Sequence, residues 1–218
     1  MQFRIIILLI CFFLSACSSM QNNDQAAAKK LRVAKVNTQL GMAYIQRHDL
    51  QRAKQKLITA LADDPKLPEA WYAMGYYMEI TGDTENAKKY YQKSVDLSPK
   101  AGDVQNNFGT YLCRHGDYNG AIKHFMLAVQ DMSYLDTASA YENAGLCALK
   151  IPDKRLALEY FNRALMEDPN HPNALIEAAN LNYEQKNYHE AKIQVGEYLA
   201  LATPTPQAKR LARLLETA

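Results

Sequence analysis

The sequence predicts an all-α fold, a right-handed α-solenoid of five to six helix pairs, and three observations carry that prediction. Gly41, Gly75, Gly109 and Gly145 recur at steps of 34, 34 and 36 residues. Ala53, Ala87, Ala121, Ala157 and Ala191 keep the same stride. Each unit then holds two amphipathic stretches parted by a breaker, at His48-Asp49, Gly82-Asp83, Gly116-Asp117, Pro152-Asp153 and Lys186-Asn187, and most units close on Pro65, Pro99 or Pro169. A fixed period in this range marks a repeat architecture whose units bury their apolar faces only by stacking. Nine Gly and eight Pro in 218 residues are too few for an all-β chain rich in tight turns.

The elements follow in order. Residues 1–16 read as an export signal, with Arg4 followed by ten unbroken apolar residues from Ile5 to Leu14. Ten residues span about 15 Å as helix, half of a hydrocarbon core of about 30 Å, so a spanning helix is the weaker reading. Leu14-Ser15-Ala16-Cys17 resembles the bacterial lipoprotein signal, which implies cleavage before Cys17 and lipid on that residue. Ser18, where an Asp would mark inner-membrane retention, implies the periplasmic face of the outer membrane. Residues 17–33 are expected to form a lipidated tether, with Ser19 to Gln25 polar and aperiodic.

Repeats occupy 34–205. The units supply Leu40-Gly41, Tyr44, Ala53, Leu57 and Pro65, then Trp71, Met74-Gly75, Ala87, Tyr91 and Pro99. Phe108-Gly109, Ala121 and Phe125 follow, then Tyr141, Ala144-Gly145, Ala157, Phe161 and Pro169, and a worn fifth set of Ala178-Ala179, Ala191 and Val195. This pattern resembles the tetratricopeptide repeat. Asp83, Asp117 and Asp153 stand where a side chain can cap the second helix, and the closing Pro cannot continue it. Two extra residues fall near Met132 to Asp136, where Ser133 replaces the closing Pro and a longer loop is expected. Residues 206–218 read as a capping helix, with Leu211, Leu214 and Leu215 on one side and Lys209, Arg210 and Arg213 on the other.

Composition and motifs argue against catalysis. A net charge of +2 singles out no nucleic acid. His48, His115, His124, His171 and His189 fall in no zinc-binding pattern, so no metal or cofactor is expected. Cys113 and His115, two apart on a helix, point to different faces and make no activated thiol. Acidic pairs such as Asp63-Asp64 and Glu167-Asp168 are helix-end punctuation, and there is no glycine-rich phosphate loop. A monomeric binding scaffold without a small-molecule substrate is the expectation.

Repeat register places Met42, Ile45, Tyr72, Tyr76, Asn106, Thr110, Leu146, Leu149, Ile176, Asn180 and Tyr183 on the groove face of the first helices. Apolar and aromatic groups there suit an extended or helical peptide. Tyr72 and Tyr76 are equally readable as cover for the joint between the first two units. Cys113 and Cys147 fall near the ends of neighbouring first helices and are expected to form a disulfide clamping the third and fourth repeats, the alternative being two buried thiols.

Three segments carry a closer likeness: Asn37 to Pro65 (NTQLGMAYIQRHDLQRAKQKLITALADDP), Asn106 to Asp117 (NNFGTYLCRHGD) and Glu142 to Leu149 (ENAGLCAL). With the lipoprotein signal, they resemble the PilF/PilW type IV pilus biogenesis lipoproteins, the pilotins. The resemblance implies an outer-membrane lipoprotein that binds subunits of the pilus secretin and promotes their localisation and multimerisation. The alternative on the same fold is a scaffold for outer-membrane β-barrel assembly or for general periplasmic contacts. His48 stands where relatives carry Gly, a departure confined to one turn.

Overall fold

The computed structural model describes residues 2–217, with side chains from residue 24 onward. The expected signal segment, and Cys17, at which lipidation is expected, lie outside the residues whose side chains are described. Among the described residues there are eleven helices and no strand. They form two compact units, one through Leu97 and one from Ser98.

The first unit holds α1 (Gln2–Gln46), α2 (Leu50–Asp63), α3 (Pro68–Ile80) and α4 (Thr84–Leu97), packed as the pairs α1/α2 and α3/α4. The second holds α5 (Gly102–Arg114), α6 (Tyr118–Ala128), α7 (Thr137–Ala148), α8 (Lys154–Glu167), α9 (Pro172–Glu184), α10 (Tyr188–Leu201) and α11 (Pro206–Glu216). Its pairs are α5/α6, α7/α8 and α9/α10, with α11 laid on α10 and α9. Each unit has the tetratricopeptide, solenoid-like build of helix pairs that the period of 34 predicts, two pairs in the first and three in the second. Residues 24–33 are helical as part of α1 rather than a free tether. Ala26, Ala27, Ala28, Lys29 and Lys30 are strong helix formers, which accounts for the extension.

Small residues set the approach within a pair. A Cβ on Gly109 would lie 2.8 Å from Cε1 of Phe125, and one on Gly145 would lie 2.7 Å from Cε1 of Phe161. Tyr91, Phe125 and Phe161 are fully buried at equivalent points of α4, α6 and α8. The large ring on the second helix thus fills the space that glycine leaves on the first.

Caps end the helices as the sequence suggests. Asp49 accepts from the N–H of Arg52, Asp83 from Asn86, Asp117 from Gly120, and Asp153 from Arg155 and Leu156. Each satisfies donors that a helix start leaves free. On α11, Pro206 opens the helix, Thr205 Oγ1 accepts from Ala208, and Ala208, Leu211 and Leu215 are buried. Leu214, expected on the same buried side, is largely exposed.

Candidate protein-binding site

The first helices of the pairs present two separate faces, one in each unit. In the first unit Tyr72 and Tyr76 sit one turn apart on α3, hence on one side of it. Both are partly buried and pack, with Met42 of α1, on the cluster of Ile45, Ala53, Leu57, Ala73, Met74 and Tyr77. The Tyr72 ring centroid lies 5.7 Å from that of Tyr91. Part of each tyrosine therefore closes the joint, and part remains accessible. Ile45 does not belong to this face: at 3% exposure it is core. The reason is tertiary, since α3 lies across α1 and covers it.

In the second unit an asparagine of α5 and one of α7 pair across the two helices. The Nδ2 of Asn143 donates to Oδ1 of Asn106 at 3.1 Å. On α9, Asn180 has its Nδ2 buried with no hydrogen-bond partner. Thr110 spends its hydroxyl on the carbonyl of Asn106, 2.9 Å away in its own helix. Leu146 is 39% exposed. Ile176, at 8%, joins the cluster of Leu175, Val195, Tyr198 and Leu211 and is core, a second correction to the register reading. The cause is α11, whose apolar side adds to that cluster and to which the regular repeat has no counterpart.

Leu149, Asn180 and Tyr183 come together in a cleft of about 440 Å³. Leu181, Leu211 and Leu214 add apolar wall, and Lys154, Glu177, Glu184 and Arg210 add charge. Lys154 Nζ is engaged with Glu184 at 2.6 Å. The amide nitrogen of Asn180 is sealed from solvent as well as unmatched, so it is a desolvation cost carried by the fold. Apolar walls with charged groups at hand suit a peptide segment with an apolar side chain in the cleft.

A polar cross-link behind this face escaped the sequence reading. Glu142 of α7 is buried, accepts from Asn173 Nδ2 at 3.0 Å, and lies 3.4 Å from His171 Nε2. Burial, and then the nearby Glu142, raises the carboxyl of Glu177 above the usual carboxylate range.

Cys113 of α5 and Cys147 of α7 are joined as a disulfide, with Cα atoms 5.8 Å apart. Among the described residues, no group of His, Cys, Asp and Glu has the arrangement to hold a metal ion.

Comparison with known proteins places these features. Tetratricopeptide-repeat models match residues 68–100 and 106–172. An uncharacterised protein of Haemophilus influenzae is 36% identical over 140 residues, 63% of this chain and 75% of the relative. The type IV pilus assembly protein PilF of Pseudomonas aeruginosa is 30% identical over 154 residues, 71% of this chain and 61% of PilF. The structure from the functional characterisation of P. aeruginosa PilF superposes with a TM-score of 0.78 at 26% identity, covering 86% of both chains.

The chain belongs to the PilF/PilW-like family of tetratricopeptide-repeat proteins.

PilW, described as a widely conserved type IV pilus biogenesis factor, shares the fold with a TM-score of 0.70 at 24% identity, over 85% of this chain and 91% of PilW. In this PilF/PilW-like chain the generic repeat explains the Gly, Ala and aromatic positions. It leaves free the Asn106-Asn143 pair, the disulfide pair and the cleft beneath α11.

Proposed function

We propose that this protein is a pilotin: an outer-membrane lipoprotein, anchored through Cys17 on the periplasmic face, that binds subunits of the pilus secretin and promotes their localisation and multimerisation. The observation that carries the reading is the likeness to a type IV pilus assembly protein over most of both chains. The physics agrees with it. Several acyl chains at Cys17, each CH₂ contributing about 0.8 kcal/mol of burial, would make release negligible. The first-helix faces carry accessible apolar surface, which serves binding rather than bond chemistry. Anchoring a binding face at the membrane turns each later encounter of captured subunits into an event at high effective concentration.

The test is the amount of heat- and detergent-resistant secretin multimer in outer membranes from cells with and without this protein, with unrelated barrel proteins measured alongside. Loss of the secretin multimer alone is expected. An unchanged multimer would overturn the reading, and a general fall in barrels would replace it with a barrel-assembly scaffold.

A further inference from the structure

The turn between α6 and α7 departs from the repeat, and it is tightly built. Asp131 Oδ1 accepts from the amide and the hydroxyl of Ser133, at 2.9 and 2.7 Å, while Oδ2 accepts from the amide of Gly102 at 2.8 Å. The hydroxyl of Ser133, then the amides of Gly102 and Ser133, hold the Asp131 carboxyl below the usual carboxylate range. The amide of Tyr134 closes back on the Asp131 carbonyl at 3.0 Å. Tyr134 itself is packed against Gly102, so closely that a Cβ there would overlap its side chain. At the far end Thr137 Oγ1 donates to Glu167 at 3.1 Å, tying the turn to the end of α8.

Held between these anchors, Met132 is 100% exposed and Leu135 is 96% exposed. Met166, beside Glu167, is 82% exposed. A rigid turn that displays two large apolar side chains in water has the form of an interaction anchor, because ordering them at the moment of binding costs little. Next to Met132 opens a cleft of about 390 Å³ with walls from Pro99 and Leu127. The charge that the turn meets is mostly acidic: Asp131 and Asp136 lie within it, Asp103 near Tyr134 and Glu167 on Thr137, with Lys100 beside Asp131 in the cleft wall. Asp103 and Asp136 stand near enough to add to the upward shift that burial gives the Tyr134 hydroxyl. An acidic surround repels anionic headgroups and favours a protein surface with lysine or arginine at its rim.

We propose that this turn is a docking knob whose Met132 and Leu135 enter an apolar, basic-rimmed pocket on the secretin subunit, with the adjacent cleft taking an apolar side chain in return. The partner's identity rests on the pilotin reading above; the chemistry of its pocket rests on the turn. The test measures affinity of the full chain, purified in detergent, for purified secretin subunits at low and high salt. It compares wild type with the double variant Met132→Ser/Leu135→Ser, and follows thermal melting and sedimentation in parallel. Neither side chain is packed, so the melt is expected to stay in place. The double variant is expected to bind roughly tenfold more weakly, about 1.4 kcal/mol, and wild-type affinity to fall with salt. Undiminished binding by the variant overturns the knob and leaves the pilotin reading standing. If that result comes with lost self-association, the knob's occupant is a second copy. No binding by wild type overturns both proposals.

Discussion

His48 carries a φ of 57°, in the left-handed region, where Gly82 and Gly116 sit at 85° and 86° in the equivalent turns. In each the following amide reaches back five residues: Asp49 to the Tyr44 carbonyl at 2.9 Å, Asp83 to Met78 at 2.9 Å, Asp117 to Leu112 at 3.0 Å. This is the helix stop that glycine favours, and a side chain there costs about 1–2 kcal/mol. Glycine's greater freedom in the unfolded chain returns roughly 0.5–1 kcal/mol of that. His48→Gly is therefore expected to stabilise the protein by about 0.5–1 kcal/mol, raising Tm by a few degrees in a thermal melt. An unchanged or lower Tm would show that the His48 side chain contributes more than its strain. The odd residue at this turn was legible in the sequence, since its neighbours in the repeat are glycines. The burial of Ile45 was not, because it depends on α3 lying across α1. The unmatched amide of Asn180 was equally out of reach, since it depends on which acceptors two neighbouring helices fail to supply.

Glycine and aromatic form the unit of packing for a helix pair. Gly145 faces Phe161, which is fully buried, and the contact leaves no room for a methyl group. Gly145→Ala is expected to push α7 from α8 and to destabilise by about 1–3 kcal/mol, the usual cost of overpacking. Gly196→Ala is the control, since no atom lies within reach of a Cβ there and it sits inside α10. That change exchanges a poor helix former for the best one and is expected to add up to about 1 kcal/mol. Denaturant unfolding of the two variants checks both, and a loss no larger at Gly145 than at Gly196 would sink the packing account. Helix boundaries were legible from the Asp caps and the prolines at 68, 172 and 206, all local signals. The extension of α1 through residues 24–33 rests on the helix propensity of Ala26 to Lys30, which the repeat period, beginning at residue 34, does not report.

Within the second unit, the disulfide between Cys113 and Cys147 ties α5 to α7 across 34 residues of chain. In the chain-entropy model a loop of that length contributes about 3.8 kcal/mol by restricting the unfolded state. Cys113→Ser/Cys147→Ser is expected to lower stability by about 3–4 kcal/mol in denaturant. Reduction should reproduce the loss in wild type and leave the double variant unmoved; equal stability of oxidised and reduced wild type would exclude a structural role. The sequence by itself determined the all-α class, the helix pairs and their order. Those follow from residues acting within one repeat: glycine and alanine permitting close approach, aspartate capping, proline stopping. Tertiary structure alone decided that Ile45 and Ile176 are core, that the two cysteines meet rather than stay apart as thiols, and that Leu149, Asn180 and Tyr183 share one cleft. Burial and pairing are set by what the neighbouring helix places opposite a residue, and that neighbour lies a whole repeat away along the chain.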